Sequence, residues 1–325
     1  MAVCFTHEER LWYLRQYGSH CLAYSTLQPG MRYFDVPGIG YLAYMQYCGT
    51  RFVLGDPICS LDLAPVLIRE ALSEHSDTCF IQTSEQVAII LKDIHHYYAT
   101  CLGIETWIDL PSWSLKGTRR KLIRKYVNRG RKTGLRVYEL SAKDISHVRS
   151  HLLQLRSRWL KSRRNPRRVR FLVRPPTVDD YGVRVFLARL GGELVTELIC
   201  DPIYGSGSVA GYNINLAHYS PKKCHKHAVT CAVAYALDVF RQERLKYASL
   251  GLSPLNGIAP LVGDNPALRV ALQAIYRWGN SLYNFRGLAE NKHSYCGRST
   301  RAFACTRRWL PVKDILCTLR ICNLI

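Results

Sequence analysis

The sequence predicts an α+β protein in which helices and mostly antiparallel strands alternate along the whole chain. Of its 325 residues, 48% are hydrophobic, which is enough to build real cores. Short apolar runs that favour strands alternate with longer runs of helical period, and glycine or proline separates many of them. The length favours two domains of ordinary size or one large domain, and we place two domains at 1–140 and 141–325.

The first half mixes short strands and helices. Apolar runs predict strands at 40–45, 51–55, 79–83 and 104–110. Apolar residues at helical spacing predict helices at 11–17, 63–74 and 86–92.

The second half is predicted to open with a long helix over 141–161. Glycine-rich turns at 191–192 and 205–207 separate three successive strands, which predicts an antiparallel meander over 183–216. The remaining elements follow in the order helix 227–243, strand 247–251, helix 267–278 and strand 282–285. We expect the stretch 312–325 to be a packed terminal helix, with a helix lying on a membrane surface as the alternative.

A meander followed by helix, strand, helix and strand is the order of one N-acetyltransferase half. The first half shows a weaker version of this order. We therefore expect a tandem of N-acetyltransferase-like (GNAT) domains, each a mostly antiparallel mixed sheet flanked by helices, connected through the basic region 116–174.

The net charge is concentrated in that basic region. It holds 21 Lys and Arg against two acidic residues, so +19 of the formal +21 lies there. Its first part, 116–129, also carries apolar pairs at helical spacing, which predicts a helix with a narrow buried stripe and a wide cationic face. Such a local field favours a polyanionic partner, and the interleaved aromatic residues favour nucleic acid over anionic lipid. The alternative is a helix face that is merely solvated.

The sequence lacks the motifs of several common cofactor and metal sites. A phosphate-binding P-loop is absent, and the Gly-rich stretch 205–207 lies between two strands of a meander rather than before a helix. The loop that binds coenzyme A in acetyltransferases is also missing. The run 224–227, Cys-His-Lys-His, lacks the partner ligands of a zinc site. We expect no cofactor and no metal.

Thirteen cysteines without a CxxC pair indicate reduced, mostly buried thiols. The N-terminus has no apolar core of a secretory signal, and no apolar run is long enough to span a bilayer. We expect a cytoplasmic protein, with peripheral contact to the inner face of an anionic membrane as an open alternative.

Polar residues cluster at two predicted strand ends in the last third of the chain. The segment 249–255 ends one strand, 283–288 ends another, and Lys292 follows. Ligands of α/β proteins bind where strands end and loops begin, so we expect the site here.

At these residues the chain resembles the C-terminal catalytic domain of the phosphatidylglycerol lysyltransferase family, also known as the multiple peptide resistance factor family. The resemblance covers most of the chain. Four ordered segments carry it: Leu54-Gly55-Asp56-Pro57; Trp113-Ser114-Leu115-Lys116-Gly117 with Arg124 and Asn128-Arg129; 249–255; and 283–288 with Lys292. It implies a tandem GNAT-like fold and an aminoacyl-tRNA-dependent transferase, with a hydroxyl or amine of a lipid such as phosphatidylglycerol, or of a small molecule, as the acceptor.

The chain departs from the family pattern at three places. The stretch 291–295 keeps only the first lysine of Tyr-Lys-x-Lys-Phe, and the Pro and Trp that usually follow are absent from 296–303. Asn215 stands where the family has Asp. Loss of a carboxylate would weaken a preference for the second ammonium of lysine. The amino acid and the acceptor therefore stay open.

We hypothesise that Lys292 and Arg286 are catalytic and supply positive charge at the ester or at an anionic group of the acceptor. The hypothesis names these substrate-binding residues: Ser253, Asn284, Asn215, Tyr283 and Gly287. It names these tRNA-binding residues: Lys116, Arg119, Arg120, Arg124, Lys125 and Arg129. The rival readings are a GNAT-like acyltransferase with a non-tRNA donor, and an inactive RNA- or membrane-surface-binding protein.

Overall fold

The computed structural model describes residues 4–163, 166–177, 180–221, 225–260, 264–278 and 284–325. The strands are β1 Arg32–Val36, β2 Gly40–Tyr47, β3 Thr50–Leu54, β4 Ile58–Cys59, β5 Thr78–Thr83, β6 Tyr98–Asp109, β7 Arg136–Glu139, β8 Arg184–Leu190, β9 Glu193–Gly205, β10 Ser208–Tyr219, β11 Tyr247–Pro254 and β12 Arg298–Thr306. The helices are α1 His7–Tyr17, α2 Ala64–Glu74, α3 Glu85–His95, α4 Lys121–Lys132, α5 Ile145–Lys161, α6 His225–Gln242, α7 Pro266–Trp278, α8 Phe285–His293 and α9 Val312–Ile321.

These strands form one mixed sheet in the order β1-β2-β3-β5-β12-β6-β11-β10-β9-β8-β7, with β4 paired to β2. Two neighbouring pairs are parallel, β3 with β5 and β10 with β11, and the other pairs are antiparallel. Separate hydrophobic clusters pack beside the two ends of the sheet, one under α2 and α3 and one under α4 and α6. The prediction of an α+β fold, with mostly antiparallel strands flanked by helices, is confirmed, but the described strands form one continuous sheet rather than one sheet in each half.

The sheet runs through the predicted domain boundary. Strand β7 precedes residue 140 but pairs with β8, and β12 lies between β5 and β6 of the first half. The division into 1–140 and 141–325 stays a prediction. In the described sheet, β7 of the first half pairs with a strand of the second half, and β12 of the second half pairs with two strands of the first.

The predicted meander is present as β8, β9 and β10. Ser208 pairs with Gly205 directly across its second turn. The two residues between them, Ser206 and Gly207, both have positive φ. This is the backbone of a tight hairpin turn, which glycine adopts without strain. The stretch is therefore a hairpin, as the sequence predicted.

Three predicted features differ from the structure. The basic helix begins at Lys121 rather than at residue 116, and its Leu122 is 46% exposed although Ile123 and Val127 are buried. The predicted strand 282–285 is wrong at Phe285, which begins α8, while 279–283 lie outside the described residues. Strands β1, β4, β7 and β12 and helix α8 were not predicted.

The terminal helix α9 buries Asp314 and Cys317 and exposes Leu316, so one face packs on the protein. Across the described ranges, every helix is too short or too polar to cross a membrane.

Candidate active site

The candidate site lies where β10 and β11 separate. Their parallel pairing runs from Gly211 opposite Tyr247 to Asn213 opposite Ser249, and there it ends. Both strands continue beyond this point, and β11 carries a bulge against β6 in which Gly251 has a φ of +72°. Separating strands expose backbone groups inside a sheet, and bulges often lie beside active sites.

Lys292 reaches this opening from α8. Its Nζ donates a hydrogen bond of 2.7 Å to the carbonyl of Leu252. A Cβ at position 251 would lie 3.7 Å from both Lys292 Nζ and Asn213 Oδ1, so glycine keeps the space between them open. Burial lowers the pKa of Lys292 to about 8, against the opposing effect of negative charge nearby.

Helix α8 begins with a side-chain cap. Asn284 Oδ1 accepts a hydrogen bond of 3.0 Å from the backbone N–H of Gly287. A Cβ on Gly287 would lie 2.5 Å from Asn284 Nδ2, so any larger residue would displace the cap. Both predicted substrate-binding residues therefore have a structural role in directing α8, and through it Lys292.

The other predicted residues spread over a wider area. Arg286 is exposed on α8 and donates to the backbone carbonyl of Arg277 at the end of α7. Ser253 is 1% exposed on β11, one residue beyond the carbonyl that receives Lys292. Asn215 lies on β10 beyond the divergence and donates to the carbonyl of Arg174. Tyr283 lies outside the described residues.

A second group of buried polar side chains comes from the first half of the chain. Glu105 on β6 is 3% exposed and pairs across the sheet with Leu252. Its Oε1 accepts hydrogen bonds from Gln82 Nε2 at 2.9 Å and from Cys21 Sγ at 3.1 Å. His20 Nε2 lies 3.6 Å from the same oxygen. We call His20, Cys21, Gln82 and Glu105 the Glu105 cluster.

The donor atoms of His20, Cys21 and Glu105 lie within 4.8 Å of one another, which raises the question of a metal. The backbone N–H of Leu22 donates to His20 Nδ1 at 3.1 Å. A neutral imidazole with an acceptor Nδ1 carries its proton on Nε2, the atom that faces Glu105. A metal would need the lone pair that this proton occupies, so the arrangement fits a hydrogen-bonded carboxylate better than a metal centre.

One of the four family-like segments supports this cluster. A Cβ at Gly55 would lie 3.0 Å from His20 Nδ1, so glycine at this position lets the imidazole approach the turn after β3. The next residue, Asp56, accepts the backbone N–H of Ser84 at 2.7 Å, where α3 begins. Sequence reasoning missed the cluster because its four members belong to no common motif. The segment 54–57 was the available signal.

The predicted tRNA-binding cations fall into two groups. Lys116, Arg119, Lys125 and Arg129 are exposed. Together with the other exposed cations of α4, which are Lys121, Arg131 and Lys132, they form what we call the α4 basic surface. In the second group, Arg124 donates to the carbonyls of Leu115 and Gly117 at 2.7 Å each.

Arg120 belongs with Arg124. It donates to the carbonyls of Ser114 and Tyr295, and its guanidinium lies 4.7 Å from the centre of the Trp113 ring. These two arginines stabilise the loop 113–117 that precedes α4.

The later part of the basic region is partly internal. Arg156 is buried and donates to both carboxylate oxygens of Glu197. Arg174 is 2% exposed and pairs with Asp201. These two charges are neutralised inside the protein and do not contribute a surface for a polyanion.

The sequence matches the family model described as "Phosphatidylglycerol lysyltransferase, C-terminal" over residues 12–306. None of the curated proteins matches it. Among solved structures, L-PGS from Bacillus licheniformis is similar at 22% identity, 98% coverage of this chain, 97% of that chain and a TM-score of 0.79.

Two further structures share the fold. The C-terminal domain of a putative lysylphosphatidylglycerol synthetase from Agrobacterium fabrum has 18% identity, covers 98% and 97% of the two chains, and gives a TM-score of 0.78. A conserved protein of unknown function from Bacteroides thetaiotaomicron has 12% identity, 95% and 99% coverage and a TM-score of 0.59. The family match extends over nearly the whole chain, and the first two structures have the same fold along their full length. The chain belongs to the family of phosphatidylglycerol lysyltransferase C-terminal domains, which are transferases.

Proposed function

We propose that this protein transfers an aminoacyl group from aminoacyl-tRNA to a hydroxyl or amine acceptor, with the glycerol hydroxyl of phosphatidylglycerol as the leading candidate. The observation that carries the proposal is Lys292, a cation of lowered pKa placed where β10 and β11 separate, in a chain of the lysyltransferase family.

The chemistry requires little activation, because an aminoacyl ester is already a reactive acyl donor. The acceptor oxygen attacks the ester carbonyl, the tetrahedral intermediate carries an oxyanion, and the ribose oxygen of the tRNA leaves. One proton passes from the acceptor to that leaving oxygen, for which the neighbouring ribose 2′-hydroxyl is a suitable relay. The protein must position the acceptor and stabilise the oxyanion.

Lys292 is suited to the second task. Its ammonium is held against the Leu252 carbonyl rather than in bulk water, so it faces the opening with little reorganisation. With a pKa of about 8, it remains predominantly protonated near neutral pH. Positive charge at the acyl carbon would stabilise the oxyanion as it forms.

The α4 basic surface is suited to the tRNA. Its exposed cations lie on the helix that follows the Trp113 loop, and Trp113 stacks on Tyr295, three residues after Lys292. Because the loop before α4 contacts the residues that follow α8, a tRNA acceptor arm bound along α4 would lie near α8 and Lys292. We propose Lys116, Arg119, Lys125 and Arg129 as the phosphate contacts, and Arg120 and Arg124 as their support.

The decisive experiment incubates the protein with a mixture of radiolabelled aminoacyl-tRNAs and vesicles that contain phosphatidylglycerol. We expect label in the organic phase after extraction. Ribonuclease treatment of the donor should abolish it, and vesicles of zwitterionic lipid alone should give none. Label that enters the lipid equally well from a free thioester would contradict the tRNA donor. Label that stays in the aqueous phase with every donor would contradict the lipid acceptor.

A further inference from the structure

The Glu105 cluster is buried beside the candidate site, and the transfer mechanism above gives it no task. Glu105 and Leu252 are paired residues of β6 and β11, and the carbonyl of that same Leu252 receives the Lys292 ammonium. The carboxylate and the ammonium therefore approach the same stretch of β11. Two groups raise the pKa of Lys292 against the effect of burial, Cys21 first and Glu105 second.

Two hydrogen bonds orient the carboxylate. Gln82 and Cys21 both donate to its Oε1, and His20 Nε2 lies 3.6 Å from the same oxygen. Gln82 has a φ of +60°, a backbone conformation that costs free energy for a residue other than glycine and that the surrounding structure must maintain. Such a carboxylate is placed to influence a charge nearby.

We propose that Glu105 is the positioning residue that keeps Lys292 in its cationic form at the site, so that the first half of the chain supplies the counter-charge for the lysine of the second half. Partly buried amines lose their proton readily unless a negative group compensates for lost hydration. The inference rests on the proposed function for its effect on transfer, but the ionisation of Lys292 can be measured without any substrate.

The charged and titratable groups around this pair belong to two further segments, 20–21 and the turn at Asp56. Lys292 faces Cys21 and Glu105. Cys21 in turn faces Asp56 as well as Glu105, and burial together with these carboxylates raises the pKa of its thiol well above the usual value. His20 completes the set. The thiol is therefore neutral at working pH, which leaves Glu105 as the anion in hydrogen-bonded contact with the cluster.

The direct test measures the ionisation of the Lys292 amine by its rate of acetylation with acetic anhydride from pH 6 to 10, read from the Lys292 peptide by mass spectrometry. We expect a midpoint near 8 in the unmodified protein. Glu105→Gln should lower that midpoint by about one pH unit or more, the usual effect of removing an opposite charge at close range. Glu290→Gln makes the same change on the exposed side of α8 and should leave the midpoint in place.

A second measurement covers the case in which Glu105→Gln does not fold. Lys292→Met leaves the Glu105 carboxylate buried without its cation, and a buried charge that has lost its partner destabilises a folded protein. The free energy of unfolding of Lys292→Met at about pH 7 should therefore be lower than that of the unmodified protein.

The outcomes separate the two proposals. A Lys292 midpoint that does not move in folded Glu105→Gln overturns the positioning role, as does a Lys292→Met variant that is as stable as the unmodified protein. If the midpoint moves but no aminoacyl transfer is found with any donor, the proposed function fails and the coupling of Glu105 to Lys292 stands.

Discussion

Lys292 is the residue on which most of the proposed chemistry depends. Its ammonium donates to the backbone carbonyl of Leu252 on β11. The buried Glu105 is paired with that residue from the neighbouring strand β6, and Gly251 leaves space beside the ammonium. Sequence reasoning found this residue through its resemblance to a family motif. The electrostatic setting became apparent only when residues far apart in the chain were brought together.

Replacement of Lys292 by Ala should reduce aminoacyl transfer by at least about a hundredfold, the effect of losing one oxyanion-stabilising donor. The measurement is the rate of transfer with saturating tRNA. Lys246→Ala, which removes an exposed lysine just before β11, is the matched control and should retain the normal rate. A Lys292→Ala rate within a few-fold of the control would exclude the catalytic role.

The pH dependence of transfer should follow the same residue. Because the cationic form of Lys292 is the active one and its pKa is about 8, activity is retained below that pH and declines as the pH rises through it. An unburied lysine would decline only near pH 10.4. The measurement is kcat/KM between pH 6 and 10. A profile that rises through pH 8 would indicate instead that the neutral amine acts as a base.

The six cations predicted to contact phosphates, in helix α4 and the loop before it, have two different roles. Arg120 and Arg124 donate to backbone carbonyls of the loop and of Tyr295, whereas Lys116, Arg119, Lys125 and Arg129 extend into solvent. The sequence could not distinguish the two groups, because it shows which residues are cationic but not which of them donate to backbone carbonyls.

The salt dependence of tRNA binding should be set by the number of exposed cations that contact phosphates. Four phosphate contacts give a slope of about −3 for log affinity against log salt. The double variant Lys125→Ala/Arg129→Ala should make the slope less steep by about 1.5. Arg158→Ala is the control, because Arg158 already pairs with Glu193. A slope that is equally steep in the double variant would place the RNA elsewhere.

Predictions from local patterns succeeded for elements whose own residues specify them. The meander and its glycine turns, α2, α3, α5 and α6 follow from apolar period and turn residues. Strand β12 was missed because its first half, from Arg298 to Arg301, is polar or partly exposed. Its place between β5 and β6 is set by residues about two hundred positions earlier, which no window along the sequence can report.

At the scale of the whole molecule, one continuous sheet joins the two predicted halves. The Glu105 cluster belongs to the first half, Lys292 belongs to the second, and β6 and β11 pair between them. The candidate site is therefore a property of the complete chain. Neither predicted half contains both the carboxylate and the ammonium.

A fragment of residues 1–140 should not fold independently. Without β12 the neighbouring strands β5 and β6 would each expose an unpaired edge, and the apolar cluster that includes Phe303 would lose its cover. We expect weak chemical-shift dispersion in a two-dimensional NMR spectrum, or aggregation. The same fragment joined by a flexible linker to residues 297–325 should recover dispersed signals. A well-folded 1–140 fragment would confirm the predicted domain boundary and contradict this reasoning.

The position of β12 also has a consequence for biosynthesis. Residues 298–306 are synthesised some two hundred residues after β5 and β6, yet they fill the gap between those two strands. Until they have emerged from the ribosome, β5 and β6 present unpaired edges that other chains can bind. We expect nascent chains of this protein to depend on holding chaperones, and premature termination before residue 298 to yield insoluble products rather than a working N-terminal half.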